Sequence, residues 1–197
     1  MKKNLLLIGL AALAMAGCQE KEAPEKTETP ATEVDKTIQV TGAEWTTDDV
    51  VGVFTTTDKN LKFKNSEAGF TGKISVDSKV VAAYYPYVAG ETAAVNAFPV
   101  AIPAAVTAGD ELPVFYAGAA DASENVELKQ MLSAIKVSFT NLDKFTYASE
   151  AVTSITVKAA KPFAGSFTAN LSAQTLSAGE GAADAVNVTL AENTVLS

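Results

Sequence analysis

Hydrophobic and polar positions change their rhythm twice along the chain. Leu5 to Ala14 form an unbroken apolar run behind Lys2 and Lys3. Residues 19–35, QEKEAPEKTETPATEVD, then hold no bulky apolar side chain except Val34. From Lys36 onward the pattern is one of short β-type runs broken by glycine, asparagine, aspartate and proline. These runs predict strands near 36–41, 50–56, 61–64, 69–76, 79–85, 112–118, 124–141, 152–158, 163–170 and 186–190. Phe163, Gly165, Phe167 and Ala169 fall on one face by period-two alternation, as do Val186, Val188 and Leu190. No segment after the first run joins helical periodicity to start and stop signals. The expectation is an all-β fold, one antiparallel β-sandwich with Greek-key-like connections.

Three stretches refine that picture. Val126, Leu128 and Leu132 are apolar at even positions, whereas Ile135, Val137 and Phe139 are apolar at odd ones. A bulge near Ser133–Ala134, or a break into two strands, would return both groups to one buried face. Residues 88–111 carry Pro99 and Pro103, with Pro113 just beyond, and prolines at that density argue against central strands. An extended crossover is expected there, anchored by Phe98, Val100 and Ile102. Residues 177–185, SAGEGAADA, read as a mobile loop.

The opening residues have the three-part shape of an export signal, and the apolar run is too short to span a bilayer stably. Small residues Ala16 and Gly17 lead into Cys18, the chain's one cysteine. That placement predicts a lipoprotein signal over 1–17, cleavage between Gly17 and Cys18, and lipidation of the Cys18 thiol. Met15 stands where leucine is more usual in such a lipobox. Residues 18–35 then form a flexible acidic tether, because so polar a stretch cannot offset its ordering entropy by burial. At about 3.5 Å per residue it reaches on the order of 60 Å from the membrane. The sandwich occupies 36–197.

Composition excludes several functions. All 15 basic residues are lysine, and there is no arginine or histidine. Loss of Lys2 and Lys3 with the signal leaves 13 lysines against 23 acidic residues, a side-chain charge of −10. Such a surface repels nucleic acid, whose binding depends on basic clusters. Without histidine the usual general base and the commonest zinc ligand are missing. No P-loop or dinucleotide fingerprint is present. The reading is of a protein that is not an enzyme and needs no metal or other cofactor.

Several segments in order resemble the fimbrillin family, the pilus and pilus-like surface lipoproteins of Bacteroidales. After the lipobox and tether come Trp45 and DDVVGVF at 48–54, then AYYPY at 83–87. LKQMLSAIKVSFTN follows at 128–141, and KPFAGSFTANLSAQTLSAG at 161–179 is similar to a family hairpin. Glu20 and Glu22 resemble the surface-export signal of Bacteroidota lipoproteins. The resemblance implies a transthyretin-like sandwich, anchored by lipid on Cys18 to the outer membrane and exposed at the cell surface. It also implies a structural or accessory fimbrial subunit assembled by strand exchange with other subunits, supporting adhesion to surface glycans or proteins. The exchanged strand maps onto Lys36, Thr37, Ile38, Gln39, Val40 and Thr41. Ile38 and Val40 share a parity that should face the core, while Thr37 and Gln39 face outward.

Two departures bear on that expectation. Arginine-specific maturation is impossible in a chain without arginine. A second sandwich would supply a donor strand in the family, whereas this sequence ends at Ser197, which makes it either a fragment or a subunit that accepts a strand without donating one. The competing reading is a monomeric lipoprotein that binds glycan on a sandwich face, with Trp45, Tyr84, Tyr85 and Tyr87 as the stacking platform. Core filling is the commoner use of such aromatics. Asp48, Asp49 and Asp58 read as turn residues rather than calcium ligands, since no EF-hand spacing is present. Lysines within 61–64 and 128–136 read as a solvated face.

Overall fold

The computed structural model describes residues 32–134 and 152–190. Every regular element among them is a strand: β1 Glu33–Ile38, β2 Val40–Thr41, β3 Val50–Thr55, β4 Leu61–Ser66, β5 Gly69–Ser75, β6 Val80–Tyr85, β7 Phe98–Ile102, β8 Ala105–Thr107, β9 Tyr116–Ala119, β10 Val126–Glu127, β11 Lys129–Gln130, β12 Ser154–Lys158, β13 Gly165–Asn170, β14 Thr175–Ala178 and β15 Ala185–Thr189. Seven strands form one sheet in the order β1-β5-β4-β3-β6-β9-β11. Two three-stranded sheets, β14-β13-β7 and β12-β15-β8, and the pair β10-β2 complete an all-β sandwich. Pairing is antiparallel except at β2–β10 and β8–β15.

The apolar run VVGVF of β3 accounts for the layering. A strand buried on one face alternates, whereas one buried on both faces reads as a continuous apolar run. Val51 and Val53 enter a core with Ile38, Val40, Phe63 and Phe70. Phe54 points the other way, into a second core with Tyr84, Phe98, Phe115 and Leu171. Strand β6 splits in the same manner, Val80 and Ala83 to the first core and Ala82 and Tyr84 to the second. Val80 and Ala83 differ in parity, and the register shift opposite Phe54/Thr55 accommodates this. Gly52 is required beside Tyr84, because a Cβ there would run into the phenol ring. The sandwich therefore has two cores flanking β3 and β6.

Several expected elements move. The segment 88–111, expected as an extended crossover, instead contains two strands, β7 and β8, with Pro103 between them. Pro99 is tolerated because β7 pairs on one side only among the described residues, with β13. Phe98 and Val100 are buried as expected of anchors, and Ile102 is half-buried. The strand near 112–118 begins only at Tyr116, after Pro113, and Leu112 and Val114 are exposed. The long strand at 124–141 parts earlier than expected, at Leu128, where β10 and β11 join different sheets. Ile135, Val137 and Phe139 lie outside the described residues. The loop expected at 177–185 is shortened by β14 and β15, and Ala183 pairs with Ala164. Phe167 and Ala169, and likewise Val186, Val188 and Leu190, turn their more buried sides inward in the expected alternation.

The N-terminal edge strand as candidate functional site

Strand β1 starts at Glu33, three residues before the expected boundary, so residues 33–35, expected within the tether, are paired with β5. Its register on β5 runs from Glu33↔Ser75 to Ile38↔Phe70, and Thr32 extends it by accepting the Val76 N–H at 2.9 Å. β1 ends the order of the seven-stranded sheet and has β5 as its one partner among the described residues. Ile38 and Val40 are 2% and 7% exposed, whereas Thr37 and Gln39 lie outside. Burying each apolar side chain contributes about 1.5–3 kcal/mol.

The segment 36–41 is nevertheless not one strand held by one row of bonds. At Gln39 the chain leaves β5. The Gln39 N–H donates to Asn125 Oδ1 at 3.2 Å, and its carbonyl accepts the Val126 N–H at 2.9 Å. β2 then pairs in parallel with β10, and Thr41 accepts from the Leu128 N–H. Gly42, with φ of 101°, turns the chain away against the Leu128 carbonyl, where a Cβ would collide. Trp45 closes the end of this path. Its Nε1–H donates to the Val40 carbonyl at 2.9 Å, and its ring lies edge-on to Phe70 and Tyr85 at 5.4 and 5.2 Å.

One loop grips the segment from the side. Asp121 Oδ1 accepts from the Ser123 and Asn125 backbone N–H groups, forming a tight turn in which Glu124 has φ of 64°. Glu124 then reaches in two directions, accepting from the Val80 N–H at 2.8 Å and meeting Lys36 Nζ at 3.1 Å. The Val80 bond, opposed by partial burial and helped by Lys36, holds the Glu124 carboxyl below its ordinary range. No local sequence feature marked Glu124 or Asn125 for this role; only their position in space does.

Most of the other singled-out residues are structural. Tyr84 is fully buried, donates to Asn60 Oδ1 at 2.6 Å and accepts the Val88 N–H. Burial pushes its hydroxyl up to about 12. Tyr85 donates to Asp49 Oδ1 at 2.9 Å, while Asp49 Oδ2 accepts from the Thr46 N–H and hydroxyl. Asp58 accepts from the Ser75 N–H and hydroxyl and from the hydroxyls of Thr55 and Thr57, tying the β3–β4 turn to the end of β5. Burial raises both aspartates, and these bonds outweigh it, leaving each below its ordinary range. Asp48 is almost fully exposed and 3.7 Å from Lys64. Lys62, Lys64 and Lys129 are on the solvent face, and Tyr87 is half-buried. Gly17 and Cys18 lie outside the described residues.

A cleft of about 650 Å³ lies in the second half of the sandwich, lined by Ile102, Met131, Ile155, Phe167 and Val188 among others. Its described lining carries no charged side chain, and Gln130 and Ser133 are its only polar side chains. Such walls offer a sugar few hydrogen-bond partners. No family model, curated protein or solved structure matches the chain.

Proposed function

We propose that the chain is a structural or accessory subunit of cell-surface fimbriae. In this reading it is lipid-anchored through Cys18 in the outer membrane and takes up a partner's strand in place of β1 and β2, in support of adhesion. The observation that carries the reading is the position of β1. β1 follows the tether, has β5 as its one partner among the described residues and buries Ile38, and β2, just after it, adds Val40 to the same core. Withdrawing it would leave an open sheet edge over an apolar groove, which another strand can refill.

The turn from Gly42 to Asp49, GAEWTTDD, contains neither lysine nor arginine. A lysine-directed cut at Lys36 would leave Ile38 and Val40 in place. Exchange in this chain therefore proceeds by displacement of β1 and β2, or after a cut in that turn by a protease of other specificity. The glycan-binding alternative draws no support from Trp45, Tyr84 and Tyr85, which are engaged in core packing.

The test is electrophoresis of the chain recovered from the cell surface in unheated SDS. A ladder that collapses on boiling is the expected result. A single monomer band, together with retention on immobilised polysaccharide, would transfer the assignment to a glycan-binding lipoprotein.

A further inference from the structure

The place held by β1 and β2 carries a sequence requirement of its own. Lys36, Ile38 and Val40 share one parity and so one face of the segment. Ile38 and Val40 fill the first core, and Lys36 lies at its rim with 28% of its side chain exposed. Opposite Lys36 on β5 stands Gly72, which presents no side chain and backs onto the Phe63 ring. The partner for position 36 is thus Glu124, whose other oxygen is fixed by the Val80 N–H. Lys79 is the other cation near this carboxylate. Positions 37 and 39 face solvent and make contacts open to many residues. Thr37 meets the Thr71 hydroxyl, and the Gln39 amide donates to the Ala68 carbonyl.

We propose that this site selects an incoming strand of the pattern basic–x–apolar–x–apolar, the basic residue meeting Glu124 and the apolar pair filling the places of Ile38 and Val40. The proposal rests on the strand-exchange reading and adds the chemistry of the partner. Charge complementarity fixes the register as well as the identity of the strand. Sliding by one residue would turn the apolar pair to solvent, and sliding by two would take the cation away from Glu124. An acidic residue at that position would set two carboxylates side by side at a partly buried edge, which disfavours binding strongly.

The experiment uses the full chain with a site for a sequence-specific protease inserted between the exposed Ala43 and Glu44. Cutting then leaves β1 and β2 seated but free to exchange. Labelled peptides copying residues 32–43 compete for the place, with either Lys36 or Lys36→Glu. The native peptide should be taken up, and the Lys36→Glu peptide should bind at least about tenfold more weakly. Glu124→Gln keeps an acceptor for the Val80 N–H and removes the charge, so the discrimination should disappear in that protein. Equal binding of the two peptides, or unchanged discrimination in Glu124→Gln, would overturn the selection rule.

Uptake of neither peptide would refute strand exchange itself, and the rule is then read in the uncut chain. Amide exchange of residues 33–38 should accelerate in Lys36→Glu and in Glu124→Lys, and slow again when the two are combined. That recovery would support the Lys36–Glu124 code for the chain's own strand. Protection unchanged by either substitution would overturn it.

Discussion

Replacing Ile38 by alanine separates a strand that fills the core from one that merely lies along an edge. The side chain is 2% exposed and belongs to the cluster with Val40, Phe70, Val126 and Leu128. Truncating a buried isoleucine to alanine removes transfer free energy and leaves a cavity, together about 2–5 kcal/mol. The terminal position of β1 lets the neighbours relax, so the lower part, ~2–3 kcal/mol, is expected here. Thr37→Ala is the matched control. It loses an exposed hydroxyl pair with Thr71 at 3.0 Å and should stay within about 0.5 kcal/mol of the parent. Urea unfolding of both variants, read with the slope unchanged, gives the difference. Amide exchange adds the location, since a loosened edge strand should lose protection at 33–38 before the pairs of β3 and β6 do. A loss below about 1 kcal/mol for Ile38→Ala, or equal losses for the two variants, would mean that β1 contributes no core and that its withdrawal opens no groove.

Three further outcomes follow from the same geometry. Asp49, Asp58 and Glu124 titrate below their ordinary values of 3.8, 3.8 and 4.5. Their stabilisation is therefore fully present above the unfolded-state values and is lost as pH falls through the depressed folded ones. The urea midpoint should stay level from pH 7 to about 5 and drop below about 4, less steeply in Asp58→Asn; a rise on acidification would contradict the hydrogen bonds assigned to these carboxylates. Gly52→Ala should destabilise by about 1–3 kcal/mol or more, because the new methyl meets the Tyr84 ring, and a neutral midpoint would show that β3 and β6 are not packed as described. Metabolic labelling with an alkyne fatty acid should tag the parent chain and spare Cys18→Ala, and equal labelling of both would dispose of the lipid anchor.

Much of the strand pattern was legible because burial on a sheet face leaves a local trace. β3, β4, β5 and β6 lie within or close to their expected ranges, and the Ile38/Val40 parity correctly gives the inward face of the first segment. Composition misleads at Pro99 and Pro103. A proline density that argues against central strands does not argue against β7 at the end of its described sheet, where one side of the backbone has no described partner to satisfy. The second core was not legible either. VVGVF announces a strand buried on both faces, but the sequence does not say that the layer beyond Phe54 comes from residues 98–102 and 165–171.

The grip on the first strand shows where local reading ends. The Gln39–Asn125 bond spans 86 residues of sequence, and Glu124, expected at the start of the strand over 124–141, sits instead in the turn DASEN that precedes β10. Its positive φ aims the carboxylate back at Lys36 and at the start of β6, so a residue chosen locally for turn formation acts at long range. The consequence is asymmetric along the segment. Among the described residues, Glu33 to Thr37 are held by β5 and by the Lys36–Glu124 ion pair, whereas Gln39 to Thr41 are held by the 121–128 stretch and covered by Trp45. In the proposed exchange such a strand would open from its Glu33 end and let go last at Val40. An invading strand would pair with β5 first and be tested against Glu124 before it reaches the apolar sites. Charge would then be read before burial stabilised the proposed exchange, an order that favours discrimination over tight but indiscriminate capture.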